Sequence, residues 1–203
     1  MKTRILTTLA AWTLAANAHA VVIFDSTLEG SQEVPPNEST ASGDATLTLN
    51  DEETQLEMLI TLVGLDLDGN QTTDPSDDVT GLHIHRGDAG VNGPVIFGLI
   101  GPNNDLDDDL VIDPVACTLF SEWDAEEGNG TTLLAELDNL LADGLYLNVH
   151  TPDFPGGEIR GQIIALDDGD GNGNGEVPEP GTLGLLGLAL AGLGLARGRL
   201  KAR

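Results

Sequence analysis

The 203-residue chain is poor in cysteine and in basic residues, and each shortage excludes a class of protein. Cys117 is the only cysteine, so no disulfide can form within the chain, and we expect a small buried core residue. Residues 21–180 hold all 34 acidic residues but only two basic ones, Arg86 and Arg160, a net charge of −32. Such a surface repels nucleic acid and anionic lipid, so a nucleic-acid partner is excluded, and adaptation to a cation-rich exterior is the simplest explanation.

The chain also lacks an arrangement of residues that is typical of catalysis. It has no nucleophile elbow and no Ser/His/Asp set that can be placed on its predicted elements. With 34 carboxylates, the pairing of an acid with a base carries no information. The sequence therefore favours a protein without enzymatic activity.

Both ends of the chain have the features of processing signals. Residues 1–20 combine a basic start, an apolar run and a small-x-small pattern at Ala18 and Ala20, which predicts a signal helix that signal peptidase removes. The other end carries Val177-Pro178-Glu179-Pro180, an apolar segment at about 182–196 and a basic end. This apolar helix is short for a span of about 20 residues. The basic residues behind it would hold that end in the cytoplasm.

Residues 21–166 alternate between apolar and polar side chains in several short runs, as half-buried strands do. The runs 43–50 and 54–65 are joined by a polar turn, which predicts a hairpin. The run 145–150 and a final strand at 157–165 are joined by the tight connection at 151–157, which predicts a second hairpin. Thr131 to Ala142 instead carries leucines at helical spacing. The pattern predicts one all-β domain, a β-sandwich or barrel with one short helix. Residues 167–176 are Asp, Gly and Asn with a single Glu, and predict a flexible linker.

Three histidines lie at predicted strand ends. His83 and His85 are two residues apart in one strand, so they share a face roughly 6.5–7 Å apart. His150 ends a second alternating run. Imidazole is a favoured ligand for zinc and copper, and catalytic zinc sites commonly use three protein ligands. The three histidines are therefore candidate ligands of a copper or zinc ion; the alternative is that they hydrogen-bond the backbone of the loop at 151–157.

Calcium is a weaker candidate. Asp168, Asp170, Asn172 and Glu179 satisfy the EF-hand loop pattern, but no helix precedes them and prolines bracket the last ligand. A chance match in an acidic linker is the better interpretation.

The two basic residues of the domain are each expected to pair with a carboxylate. For Arg160 the candidate partner is Glu158, two positions away on the same strand face.

Three blocks in order resemble the CHRD domain, which is named for the animal protein chordin and occurs in many bacterial secreted proteins. The blocks are LEGSQEVPP at 28–36, GLHIHRG at 81–87 and LYLNVHTPDFPGGEIRGQ at 145–162. The resemblance covers about Val21 to Leu166 and implies an immunoglobulin-like, Greek-key β-fold of poorly defined activity.

The tail that begins at Val177 resembles the PEP-CTERM sorting signal. This resemblance implies recognition by an exosortase-type membrane protease, loss of the tail, and export to the envelope or exopolysaccharide matrix of a Gram-negative bacterium. The precursor would then have one C-terminal membrane segment at about 182–196.

The contexts of His83, His85 and His150 are also similar to the copper-binding strands of copper/zinc superoxide dismutases. No histidine remains in this chain to supply the bridging and zinc ligands of that family.

Together these features predict a secreted binding or structural module of the cell envelope or exopolysaccharide matrix, with an exopolysaccharide or an extracellular protein as its partner. The alternative is a copper- or zinc-binding β-sandwich that uses three histidines.

Overall fold

The alternating runs of residues 21–166 form antiparallel strands. The computed structural model of the protein describes residues 21–101 and 105–166. The strands are β1 Val22–Glu29, β2 Ser42–Leu49, β3 Gln55–Val63, β4 Gly81–Arg86, β5 Val95–Ile100, β6 Val111–Asp113, β7 Thr118–Asp124, β8 Leu145–His150, β9 Ile159–Gln162 and β10 Ile164–Ala165. One α-helix, α1, spans Leu133–Leu141, and a single 3-10 turn spans Gly30–Gln32.

All the strands belong to one sheet in the order β5-β4-β8-β9-β1-β2-β3-β7-β6, with β10 paired to β1 beside β9. The sheet curls into a half-barrel, because the apolar side chains of both its halves pack into one core. The prediction of an all-β domain with one short helix is confirmed. The predicted hairpins β2–β3 and β8–β9 are both present.

Trp123 anchors the core between the sheet and the segment that follows β7. Its side chain is fully buried and stacks on Phe97 with ring centroids 5.0 Å apart. Its indole nitrogen donates a 2.7 Å hydrogen bond to the Glu127 carbonyl oxygen. A buried indole thus has both the apolar contacts and the polar partner that it needs.

Helix α1 begins at an N-cap, Thr132, whose hydroxyl accepts a hydrogen bond from the backbone of Ala135. The helix buries Leu133 and Leu140, together with Glu136, whose carboxylate lies 2.9 Å from the guanidinium of Arg86. The expected pairing of Arg86 with a carboxylate is therefore confirmed.

Two local predictions differ from the structure. The run from 157 to 165 is not one strand, because Ile163 turns into the core between β9 and β10. Cys117 was expected in the core, but it is only half-buried and has a φ of +54° in the tight turn between β6 and β7. Its thiol lies 3.6 Å from the carbonyl oxygen of Pro114 in the same turn, so the turn holds Cys117 outside the core cluster.

Within residues 21–101 and 105–166, no helix is long and apolar enough to cross a bilayer. Several predicted features lie outside the described residues: the signal peptide at 1–20 with Ala18 and Ala20, the linker at 167–176 with its EF-hand-like pattern, the motif Val177-Pro178-Glu179-Pro180 and the apolar segment at 182–196.

Candidate metal centre

Three histidines meet on the outer face of the paired strands β4 and β8. The apolar residues of β4 lie in the core, so the alternation of the strand puts His83 and His85 on the opposite face. His150, the last residue of β8, lies directly opposite Gly81 in the antiparallel pair. This register brings it beside His83, although the two residues are 67 positions apart.

The three imidazole rings lie close enough to share one ion. Ring centroids are 5.1 Å apart for His83 and His150, 5.8 Å for His83 and His85, and 6.2 Å for His85 and His150. One ring nitrogen from each residue lies within 4.8 Å of the other two. Since zinc–imidazole bonds are about 2.0–2.1 Å long, a small contraction would bring all three nitrogens to a single ion.

The backbone fixes which nitrogen of two rings faces the centre. Nδ1 of His85 lies 3.0 Å from the Gly93 carbonyl oxygen, and Nδ1 of His150 lies 3.2 Å from the Pro155 carbonyl oxygen. Because a carbonyl oxygen only accepts, each Nδ1 carries the proton and each Nε2 carries a lone pair. A metal-ligating histidine typically donates its other N–H in this way.

The inward-facing nitrogens are buried and unpaired. Among the described residues, Nε2 of all three histidines and Nδ1 of His83 have no hydrogen-bond partner. A buried polar group without a partner costs about 1–3 kcal/mol. Four such atoms in one cluster are a large cost, and a shared ligand would remove most of it.

Two glycines leave room beside the cluster. A Cβ at Gly81 would lie 2.8 Å from Cε1 of His83 and 3.4 Å from Cδ2 of His150. A Cβ at Gly101 would lie 3.4 Å from Nε2 of His83. Any side chain at Gly81 would therefore push His83 out of its present place.

The electrostatics keep the rings neutral. Burial, followed by the neighbouring His150 and His85, lowers the pKa of His83 to about 4, against the opposing effect of the nearby backbone of Ile100. Burial also lowers the pKa of His85 and of His150, against the opposing effect of their backbone hydrogen bonds. At neutral pH the cluster therefore offers lone pairs rather than protons.

Tyr146 supports His85 from beside the cluster. The two rings stack with centroids 4.9 Å apart and planes 17° apart. The Tyr146 hydroxyl accepts a hydrogen bond from the backbone of Gly93, whose carbonyl in turn holds His85. The guanidinium of Arg160 lies 3.5 Å from the centre of the tyrosine ring.

The predicted pairing of Arg160 with Glu158 is wrong. Arg160 donates to the Asp88 carbonyl oxygen at 2.9 Å instead, and so ties down the loop at 87–94. Glu158 accepts hydrogen bonds from the hydroxyls of Ser39 and Thr151. Neither the contact of Arg160 with this loop nor the support from Tyr146 is apparent from the sequence. The strand alternation does put Tyr146, Asn148 and His150 on one face, but nothing local shows which loop covers that face.

The two acidic clusters of the described residues are weaker candidates. Carboxylates of Asp66, Asp77 and Asp78 lie together, as do those of Asp105, Asp107 and Asp109. Asp66 accepts hydrogen bonds from the backbone of residues 68, 70 and 72, so its oxygens already hold its own loop. Neither cluster combines burial with unpaired atoms that are all turned to one point.

Comparison with known proteins gives two matches. A family model described as the CHRD domain matches residues 24–163, and a model described as the PEP-CTERM protein-sorting motif matches residues 176–199. No curated protein and no solved structure matches the chain.

Proposed function

The chain belongs to the CHRD-domain family, and from this premise we propose that it is an exported metal-binding module whose site is formed by His83, His85 and His150. The sorting motif at 176–199 implies export, sorting at the Gram-negative cell envelope and processing by an exosortase-type system. The function proposed for the domain is binding rather than turnover.

The observation that carries the proposal is a cluster of three histidines in which one ring nitrogen of each lies within 4.8 Å of the other two and every Nε2 is buried without a hydrogen-bond partner. If the histidines only held loops, their second nitrogens would be expected to meet protein groups or to lie at the surface. Here two Nδ1 atoms hold loops, while every Nε2 is buried without a protein partner. Hydrogen bonding to loops therefore accounts for the two Nδ1 atoms. It does not account for the three Nε2 atoms, which remain available as metal ligands.

The type of ligand atom limits which metal ions the site can bind. Three imidazole nitrogens suit copper and zinc, whereas calcium and magnesium require oxygen ligands. The acidic surface raises the local concentration of cations around the domain, which favours capture from a dilute exterior. Copper and zinc are therefore the proposed ions.

The proposal is tested by the metal content of the full-length protein, purified without a histidine tag, loaded with copper or zinc and dialysed. We expect about one ion per chain in the wild type and none in a His83→Ala/His85→Ala variant. A matched control, Asp77→Asn/Asp78→Asn, alters an acidic cluster and should retain the ion. Loss of metal in the control alone, or no retained metal in any protein, would refute the site.

We also propose that the exported protein binds exopolysaccharide through a cleft that includes Arg160. A cavity of about 390 Å³ is lined by Gln32, Glu33, Arg160 and Gln162, among others. Side-chain amides, a carboxylate and a guanidinium suit the hydroxyls of sugars. Exopolysaccharide fragments should bind the wild type and bind a Gln32→Ala variant at least several-fold more weakly; equal binding to both proteins would contradict this role.

A further inference from the structure

The histidine cluster contains no anionic ligand. Among the described residues, only the three imidazoles contribute to this group of possible metal ligands. Two carboxylates on the same side of the sheet have other partners. Glu158 accepts from hydroxyls, and Glu33 accepts a 2.7 Å hydrogen bond from the side chain of Asn148. No negatively charged ligand would therefore neutralise any of the charge of a bound ion.

A cation lies close to the cluster. The guanidinium of Arg160 lies 3.5 Å from the ring centre of Tyr146, which in turn stacks on His85. Arg160 is only 1% exposed, and its hydrogen bonds to the loop at 87–94 hold it in place. The Glu33 carboxylate acts on this guanidinium, but no negative charge lies among the ligands of the site.

The ring nitrogens of the cluster are also shielded from water. His83 is 7% exposed, His85 and His150 are half-buried, and the Nε2 atoms of all three rings are buried. The cost of moving an ion out of water rises with the square of its charge, and it is several kcal/mol even for a monovalent ion in a protein. A dication in this site would have neither water nor an anion to offset four times that cost.

We infer that the site selects copper in its monovalent state, Cu(I), bound by His83, His85 and His150 alone. The inference rests on the proposed function and deepens it. Three nitrogens complete a three-coordinate site, and every Nε2 of the cluster is buried from water, which would otherwise supply a further ligand. A carboxylate-containing site would instead favour Zn²⁺ or Cu²⁺.

The test compares the full-length wild type with a His150→Glu variant, whose carboxylate oxygen reaches about as far as the Nε2 that it replaces. The midpoint potential of bound copper reports the ratio of Cu(I) to Cu²⁺ affinity, with 59 mV for each tenfold change. We expect the wild type to prefer Cu(I) at least about 100-fold more than the variant does, a potential about 120 mV higher.

A second measurement keeps the test decisive if the variant does not fold. Under reducing conditions, a tenfold excess of Zn²⁺ should leave Cu(I) bound to the wild type, as followed with a chromophoric Cu(I) chelator. Displacement of Cu(I) by Zn²⁺, or equal potentials in the two proteins, would overturn the inference while leaving a metal site in place. Failure of the wild type to bind Cu(I), Cu²⁺ or Zn²⁺ would overturn the proposed function as well.

Discussion

Replacing His83 by leucine should stabilise the metal-free protein, although His83 is buried in the middle of a strand pair. Both ring nitrogens of His83 are buried without a hydrogen-bond partner, and each unpaired atom costs about 1–3 kcal/mol. A leucine of similar volume removes both costs. Its different shape should destabilise the packing by less than about 1.5 kcal/mol. Taking the lower cost for both atoms, we expect a net gain of at least about 0.5 kcal/mol, which is at least about 1–2 °C in Tm for a domain of this size.

The assay is thermal unfolding in the presence of a metal chelator at neutral pH. Asn148→Leu is the matched control, since Asn148 lies opposite His83 in the β4–β8 pair and is equally buried. Asn148→Leu also removes one unpaired atom, Oδ1, but it strands the buried Glu33 carboxyl group to which the side chain of Asn148 donates, so its Tm should lie below that of His83→Leu.

The same preparations separate a binding residue from a structural one. Copper or zinc at 100 times its Kd should stabilise the wild type by about 2.7 kcal/mol and should leave His83→Leu unchanged. A metal-free His83→Leu protein that melts below the wild type would refute the reasoning, because it would mean that His83 stabilises the fold by itself.

Three further predictions follow from named contacts. Since the folded pKa of His83, about 4, lies below its unfolded value of 6.5, the stability due to neutral His83 is lost as the pH falls through that window. Urea denaturation of the metal-free proteins should show the wild type losing about 2 kcal/mol relative to His83→Leu between pH 7 and pH 5, and a constant difference would contradict this. Arg86→Met should cost about 1–3 kcal/mol in the same assay, because it leaves the buried Glu136 carboxylate without its ion pair, and Arg86→Met/Glu136→Leu should recover most of the loss. Gly81→Ala should weaken copper or zinc binding about 10–100-fold in a chelator competition by displacing His83, and unchanged affinity would show that this glycine does not shape the site.

Strand periodicity predicted most of the sheet. The alternating runs at 43–50 and 54–65 correspond to β2 and β3, which span Ser42–Leu49 and Gln55–Val63. The three-residue strand β6 is too short to show a period, so the sequence contained no signal for it. The strand is interrupted at Ile163 because the backbone there bonds to β8, while the following strand β10 pairs with β1. These pairings are between residues far apart in the chain, so the local sequence pattern does not predict them.

The candidate site was predicted in its residues but not in its geometry. Alternation within one strand puts His83 and His85 on a shared face. The approach of His150 depends on the pairing of β4 with β8, which joins residues far apart in the chain. Arg160 was assigned the wrong partner because a neighbour in sequence was chosen, whereas its contacts come from Tyr146 on an adjacent strand and from a loop that folds back over that strand.

The most direct test of the central claim is X-ray absorption spectroscopy at the copper or zinc edge of the loaded full-length protein. The account predicts three imidazole nitrogens at about 2.0 Å from the metal, with the multiple scattering that imidazole rings produce. A first shell made of carboxylate or water oxygens alone, or one containing the sulfur of Cys117, would show that His83, His85 and His150 do not form the site.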